Sequence, residues 1–303
     1  MGEAKRRKSA AVSQVEAVES PAALPAEWAL SCPAVRSDLE DWFSRRKIDC
    51  SQPGFQDSPE FLQEERSATD ILNRVARLVE ARAYPPEYLE DAGRKIRIAA
   101  EAVAHHVKKD PRLGLCVIAS GVLSRMLDHL GIWNYTAKSN LAIHFPPSVS
   151  RTPRFFYSLG QGHFSAAHAI VVAPPFAVID VTLGSQPYDT HSIGKWVPDT
   201  VLCTESQPYM ATENDLISPE MRSFIHGRGQ SGQEFLETQR PQLVELMKQL
   251  PGRKVSHNGG HLNYGIVAVG GYTERLEEMP LQGCGINGLA PLEIFTRDVL
   301  PKL

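Results

Sequence analysis

Cysteine is scarce and scattered in this 303-residue chain. Cys32, Cys50, Cys116, Cys203 and Cys284 are odd in number and form no C-x-x-C pair. That speaks against a disulfide scaffold and against a structural zinc site, whose ligands come in close pairs. Charge of one sign is also lacking. The formal net charge is -3, so no overall basic character draws the chain to nucleic acid. No apolar run is long enough to span a bilayer. The basic cluster Lys5–Lys8 is not followed by the apolar core of a signal peptide. Arg6 stands where a myristoylation signal carries Ser or Thr. The pieces GRGQSG and HNGGH lack the G-K-S/T ending of a phosphate-binding loop, and no G-x-G-x-x-G opens a strand–helix unit. The expectation is a cytoplasmic protein with no membrane, metal or cofactor requirement and no nucleic-acid partner.

Hydrophobic residues make up 42% of the chain, enough for a real core. Residues 1–28 read as a disordered tail, rich in Ala, Ser, Glu and Pro. Residues 29–303 read as one α+β domain, with a helical part over about 59–109 and an extension over about 186–303. A short helix is expected in VRSDLEDWFSRR, with Ser37 as its cap. Two amphipathic helices follow. One spans residues 59–84, with Ile71, Leu72, Val75, Leu78 and Val79 on its apolar face. The other follows the Pro85-Pro86 break. A third helix, between Leu113 and Leu130, is apolar on most sides and reads as buried, with Gly131 as its C-terminal cap. The period then changes to strands over Tyr135–Phe145, SAAHAIVVA and FAVIDVTL, the last two joined at Pro174-Pro175. Trp196, Val197 and Val201 suggest another strand. Pro208, Pro219 and Gly227–Gly232 suggest loop. Pro241 must break or restart the helix over 233–250, and LNYGIVAVGG reads as a final strand. The last twenty residues, with Leu289, Ile294, Phe295 and Leu300, are expected to pack.

Chemistry concentrates in three residues. Cys116 lies at or near a helix start, where partial positive charge stabilises a thiolate. His168 sits in AAHAIVV and can take and return a proton. Asp180, in FAVID, can orient that histidine, and an acid among such residues is costly unless paired. The order allows a Cys-His-Asp nucleophilic site acting on acyl groups. Hairpin parity tests it. A three-residue loop centred on Pro174 pairs His168 with Asp180. A two-residue Pro174-Pro175 loop turns Asp180 to the other face unless a bulge intervenes. His163 competes as the base. The Cys116 N–H is one natural oxyanion donor, and Asn140 and Gln161 are candidates for the second. His105-His106 is a poor metal pair because neighbouring helix residues diverge. His257 and His261 frame a turn that reads as surface loop.

On these residues the stretch from about 110 to 185 resembles the transglutaminase-like superfamily of papain-fold cysteine enzymes. The matching features are Cys116 in LGLCVIASGVLSRMLDHLGI, His168 in AAHAIVV, and Asp180 followed by Thr182 in VIDVT. The sequence departs from the family's usual pattern at Val117, directly after the cysteine, and at Ile170 and Val171, where a Trp is common. The resemblance implies a central helix packed on an antiparallel sheet and Cys116, His168 and Asp180 as the catalytic triad. It also implies a thioester route shared by cysteine proteases, deamidases and transglutaminases, with a protein, peptide or small amide as substrate. Arylamine acetyltransferases use the same arrangement. Water needs no second substrate site, so hydrolysis is the simpler outcome. The alternative is a noncatalytic binding or structural protein on the same fold.

Overall fold

Prolines set most of the early helix starts. In the computed structural model, which describes residues 24–68, 70–160, 163–164, 167–188 and 191–303, α1 spans Pro33–Ser44, α2 Pro59–Glu65, α3 Ile71–Ala81 and α4 Pro86–Lys109. Pro at the first position costs a helix nothing, because that N–H has no intrahelical partner. This is why α1 begins at Pro33 and Ser37, expected as the cap, lies inside it. The single helix expected over 59–84 is two. Ser58 caps α2 by accepting from the Phe61 N–H, and the chain restarts at Ile71. The expected tail falls largely on residues 1–23, outside the described residues.

The central helix α5 spans Cys116–His129. Gly114 takes φ +74°, a left-handed conformation that an L side chain resists, so the helix cannot extend back to Leu113. Gly131, at φ +70°, ends it as expected.

The strands are β1 Tyr135–His144, β2 Arg154–Phe156, β3 Leu159–Gly160, β4 His163–Phe164, β5 His168–Ala173, β6 Phe176–Asp180, β7 Val201–Cys203, β8 Gln207–Tyr209, β9 Gly252–His257 and β10 Gly260–Gly270. The main sheet runs β7-β6-β5-β1-β10-β9-β8, with β2 also pairing β1 and every pairing antiparallel. Strands β3 and β4 form a separate ribbon. The result is a mixed α+β fold with helices packed against a curled antiparallel sheet.

Several expectations after Asp180 change. Trp196 ends a helix, α6 (His191–Trp196), rather than entering a strand, while Val201 does begin β7. The expected loop region contains β8, α7 (Glu213–Leu216) and α8 (Pro219–Gly227). Pro241 restarts the chain after α9 (Gly232–Gln239) as the first residue of α10 (Pro241–Gln249). The Asn-Gly pair at 258–259 is a hairpin turn between β9 and β10, with φ +41° and +79°. At the C-terminus Ile294, Phe295 and Val299 are buried, but Leu300 is exposed.

Each face of the sheet buries its own cluster. On one, Phe43, Val75 and Leu78 from α1 and α3 meet Leu141, Ile170 and Tyr264. On the other, Leu123, Met126 and Leu127 of α5 meet Val171, Ala173 and Ile179. Full burial of one such side chain contributes about 1.5–3 kcal/mol, so these three alone hold α5 firmly to the sheet. The Ser120 hydroxyl also donates to the Ala169 carbonyl at 3.0 Å, fixing one turn of α5 beside the start of β5. A third cluster, with Leu216, Ile225 and Leu236, covers Val267 of β10.

Candidate functional site

The three residues singled out by sequence lie at the ends of three packed elements. Cys116 is the first residue of α5, His168 the first of β5 and Asp180 the last of β6. No side chain caps α5. Its opening N–H groups, that of Cys116 among them, have no partner within the helix and face the region where an anion is stabilised.

The parity problem is solved by a bulge. Ala173 pairs with Phe176, so Pro174 and Pro175 form the two-residue loop that would turn Asp180 away. Val171, however, pairs with Ile179, and the register shifts between the two pairs. β6 takes one more residue than β5 over that stretch. With that shift His168 and Asp180 have the parity of one face of the sheet. The result is a hydrogen bond of 2.6 Å between His168 Nε2 and Asp180 Oδ2.

Both side chains are fully buried. A buried ion pair is tolerated only when its remaining polar atoms are satisfied. The carboxylate meets that condition. Oδ1 accepts from the Thr182 N–H at 2.9 Å and the Thr182 hydroxyl at 3.1 Å, and Oδ2 accepts from the Tyr264 hydroxyl at 3.2 Å. Burial pushes Asp180 up, but the charge and hydrogen bond of His168, with the Thr182 donors, hold its carboxyl below the usual range. Burial likewise pulls His168 down. The Asp180 carboxylate and its hydrogen bond outweigh this, Cys116 adds to them, and His168 is pushed up to about 10. The Asp180 carboxylate thus favours the charged, imidazolium form of His168.

Cys116 is a side-chain neighbour of that imidazole. The nitrogen left over, Nδ1, is buried and closes no hydrogen bond of standard geometry among the described residues. These observations fit a thiol set near the ring but not locked to it. Cys116 is only 5% exposed, although Leu113 and Val117 beside it are open to solvent.

The other candidates fare differently. Asn140 is buried on β1, where its amide donates to the Asp215 carbonyl at 3.2 Å. Gln161 lies outside the described residues, as does the side chain of His163. His106 pairs with Asp298 at 2.8 Å. His261 stacks on His144 with ring centroids 4.4 Å apart. No group of three or more His, Cys, Asp or Glu among the described residues is placed to hold a metal ion. All five cysteines are free. No helix of the described residues is long and apolar enough to cross a membrane. Tyr264 is absent from the sequence-derived site. It lies 84 residues from Asp180, and only the β5-β1-β10 order brings it there.

No family model, curated protein or solved structure matches the chain.

Proposed function

We propose that this chain is a thiol-dependent hydrolase or acyltransferase of the transglutaminase-like, papain-fold kind, acting on an amide through Cys116, His168 and Asp180. The observation that carries the reading is the fully buried His168–Asp180 bond beside a cysteine that opens a helix. In the proposed reaction the Cys116 thiolate attacks the amide carbonyl carbon. A carbon–sulfur bond forms, and the carbonyl electrons move to oxygen, beside the uncapped N–H groups at the start of α5. His168 Nδ1 gives its proton to the amine nitrogen as the carbon–nitrogen bond breaks, leaving a thioester. Water or a primary amine then attacks the thioester and loses a proton to His168, and the thiolate is released. Asp180 stays ionised and keeps the imidazole in position throughout. The substrate in this reading is a protein, a peptide or a small amide, and a reducing compartment such as the cytoplasm suits five free cysteines.

The test uses p-nitrophenyl acetate as a generic acyl donor. Acetylated protein detected by mass spectrometry at Cys116, absent in Cys116→Ala and discharged faster by an added primary amine, supports an acyltransferase. Discharge unaffected by amine supports a hydrolase. Absence of acetylation at Cys116 rejects both. A second reading, a noncatalytic binding protein on this fold, draws on the near-complete burial of Cys116 and His168. It predicts that Cys116 stays unacetylated in the folded protein.

A further inference from the structure

We infer that Tyr264 is a positioning residue of this site: its hydroxyl, acting with Thr182, fixes the Asp180 carboxylate so that His168 is held toward Cys116. The inference rests on the thiol-enzyme reading and extends it to a residue of a different strand.

Four donors surround the carboxylate, two on each oxygen. Thr182 supplies both for Oδ1, and Oδ2 is shared between His168 Nε2 and the Tyr264 hydroxyl. Thr182 follows Asp180 in the chain and so fixes that carboxylate locally. Tyr264 comes from β10, beyond β1, and ties the carboxylate to the centre of the sheet. Its ring also lies against His168, with centroids 6.1 Å apart and planes 30° from parallel. One side chain thus braces both members of the pair. A tyrosine fully buried in an apolar core needs a reason for its hydroxyl, and the only hydrogen bond that hydroxyl makes among the described residues is to Asp180. Burial and the Asp180 charge push its phenol well above the ordinary value, so it remains a donor at every working pH.

The charged and titratable groups around this pair come from several elements. Cys116 faces His168 from α5, the Asp180 charge reaches Tyr188 in the segment after β6, Arg154 of β2 acts on Tyr188, and Tyr188 and Cys203 of β7 act on Tyr264. Tyr264 is the one among them that donates directly to the carboxylate alongside His168.

A hydrogen bond to an ionised carboxylate favours the ionised form. Tyr264→Phe keeps the ring and removes that bond. Without its brace from β10 the carboxylate is free to turn away from His168 Nε2, and the imidazolium, no longer held toward Cys116, stabilises the thiolate less well. The readout is the rate of Cys116 alkylation by iodoacetamide against pH. Its acid limb should move to higher pH by about half to one unit in Tyr264→Phe, an about 3- to 10-fold loss of rate on the limb. A tyrosine needed only for packing would not move this limb. Should Tyr264→Phe fail to fold, 3-fluorotyrosine placed at position 264 carries the test. It is a stronger donor of nearly the same shape and should move the limb to lower pH. His168→Ala separates the two levels of the account. If His168→Ala leaves the profile unchanged, the thiol-enzyme reading fails and the role of Tyr264 with it. If His168→Ala shifts the profile but both changes at 264 leave it superimposed on the wild type, only the role of Tyr264 is overturned.

Discussion

Asp180→Asn changes one atom type at the most connected point of the site. The asparagine oxygen can keep both Thr182 donors, which now satisfy Oδ1 at 2.9 and 3.1 Å. Its NH2 group then faces the His168 nitrogen that now sits 2.6 Å from Oδ2. Two donors cannot share that bond, so Nε2 must become an acceptor and the imidazole proton must move to Nδ1. Tyr264 must turn its hydroxyl to accept. Most hydrogen bonds survive, but the histidine is neutral and carries its proton on the wrong nitrogen for taking one from a thiol. The loss of a charged hydrogen bond should cost about 1.5–3 kcal/mol of stability near pH 6. The effect on reactivity is larger. Removing the imidazolium takes away the cation beside the sulfur, so alkylation of Cys116 near neutral pH should slow. Turnover of an amide, where the tautomer also matters, should fall by about 10⁴ on the pattern of serine enzymes. Histidine-labelled protein examined by ¹⁵N NMR reads the cause directly. His168 should be an imidazolium in the wild type and a neutral Nδ1–H tautomer in Asp180→Asn. A neutral His168 in the wild type at pH 7, or an alkylation rate unchanged by the substitution, would refute the reasoning.

Stability should depend on pH through the same pair. His168 is raised from 6.5 to about 10, so its contribution is complete below its unfolded value and is lost as pH rises through the folded one. Asp180 is lowered from 3.8, so its contribution is present above that value and is lost as pH falls through the lower folded one. Denaturant melts should therefore show the stability gap between wild type and His168→Gln widest between about pH 4 and 6.5 and closing toward pH 10. A gap constant across that range removes the ion pair. Glu80 accepts from Tyr135 and Arg253 in a buried network. Glu80→Ala strands Arg253 and should cost about 3–5 kcal/mol in urea unfolding, with a loss below about 1 kcal/mol showing that Arg253 finds other partners.

Much of this fold is local and therefore legible. Gly114, the Pro85-Pro86 break and Gly131 mark the helix ends that place Cys116, and the Val- and Ile-rich runs mark β5 and β6. What stayed hidden depends on register. The extra residue in β6 that swings Asp180 onto the face of His168 carries no glycine or other turn signal among Phe176–Asp180. Periodicity alone could not choose it over a regular hairpin. Tyr264 was hidden for a stronger reason: β10 reaches the pair only by lying beside β1. β9, Gly252–His257, was missed because GRKVSH has too few apolar residues to read as a strand, yet β8 and β10 pair with it on either side. The helix ending at Trp196 was missed because Trp196, Val197 and Val201 share an apolar spacing that fits either structure.

The central claim is that Cys116 is a nucleophile made reactive by His168. The most direct measurement is iodoacetamide labelling of the folded, purified protein at neutral pH, with all five cysteines quantified by peptide mapping in wild type and His168→Ala. Cys116 should label faster than Cys32, Cys50, Cys203 and Cys284, and the advantage should disappear in His168→Ala. A Cys116 that labels only after denaturation, or that labels equally fast without His168, contradicts the account.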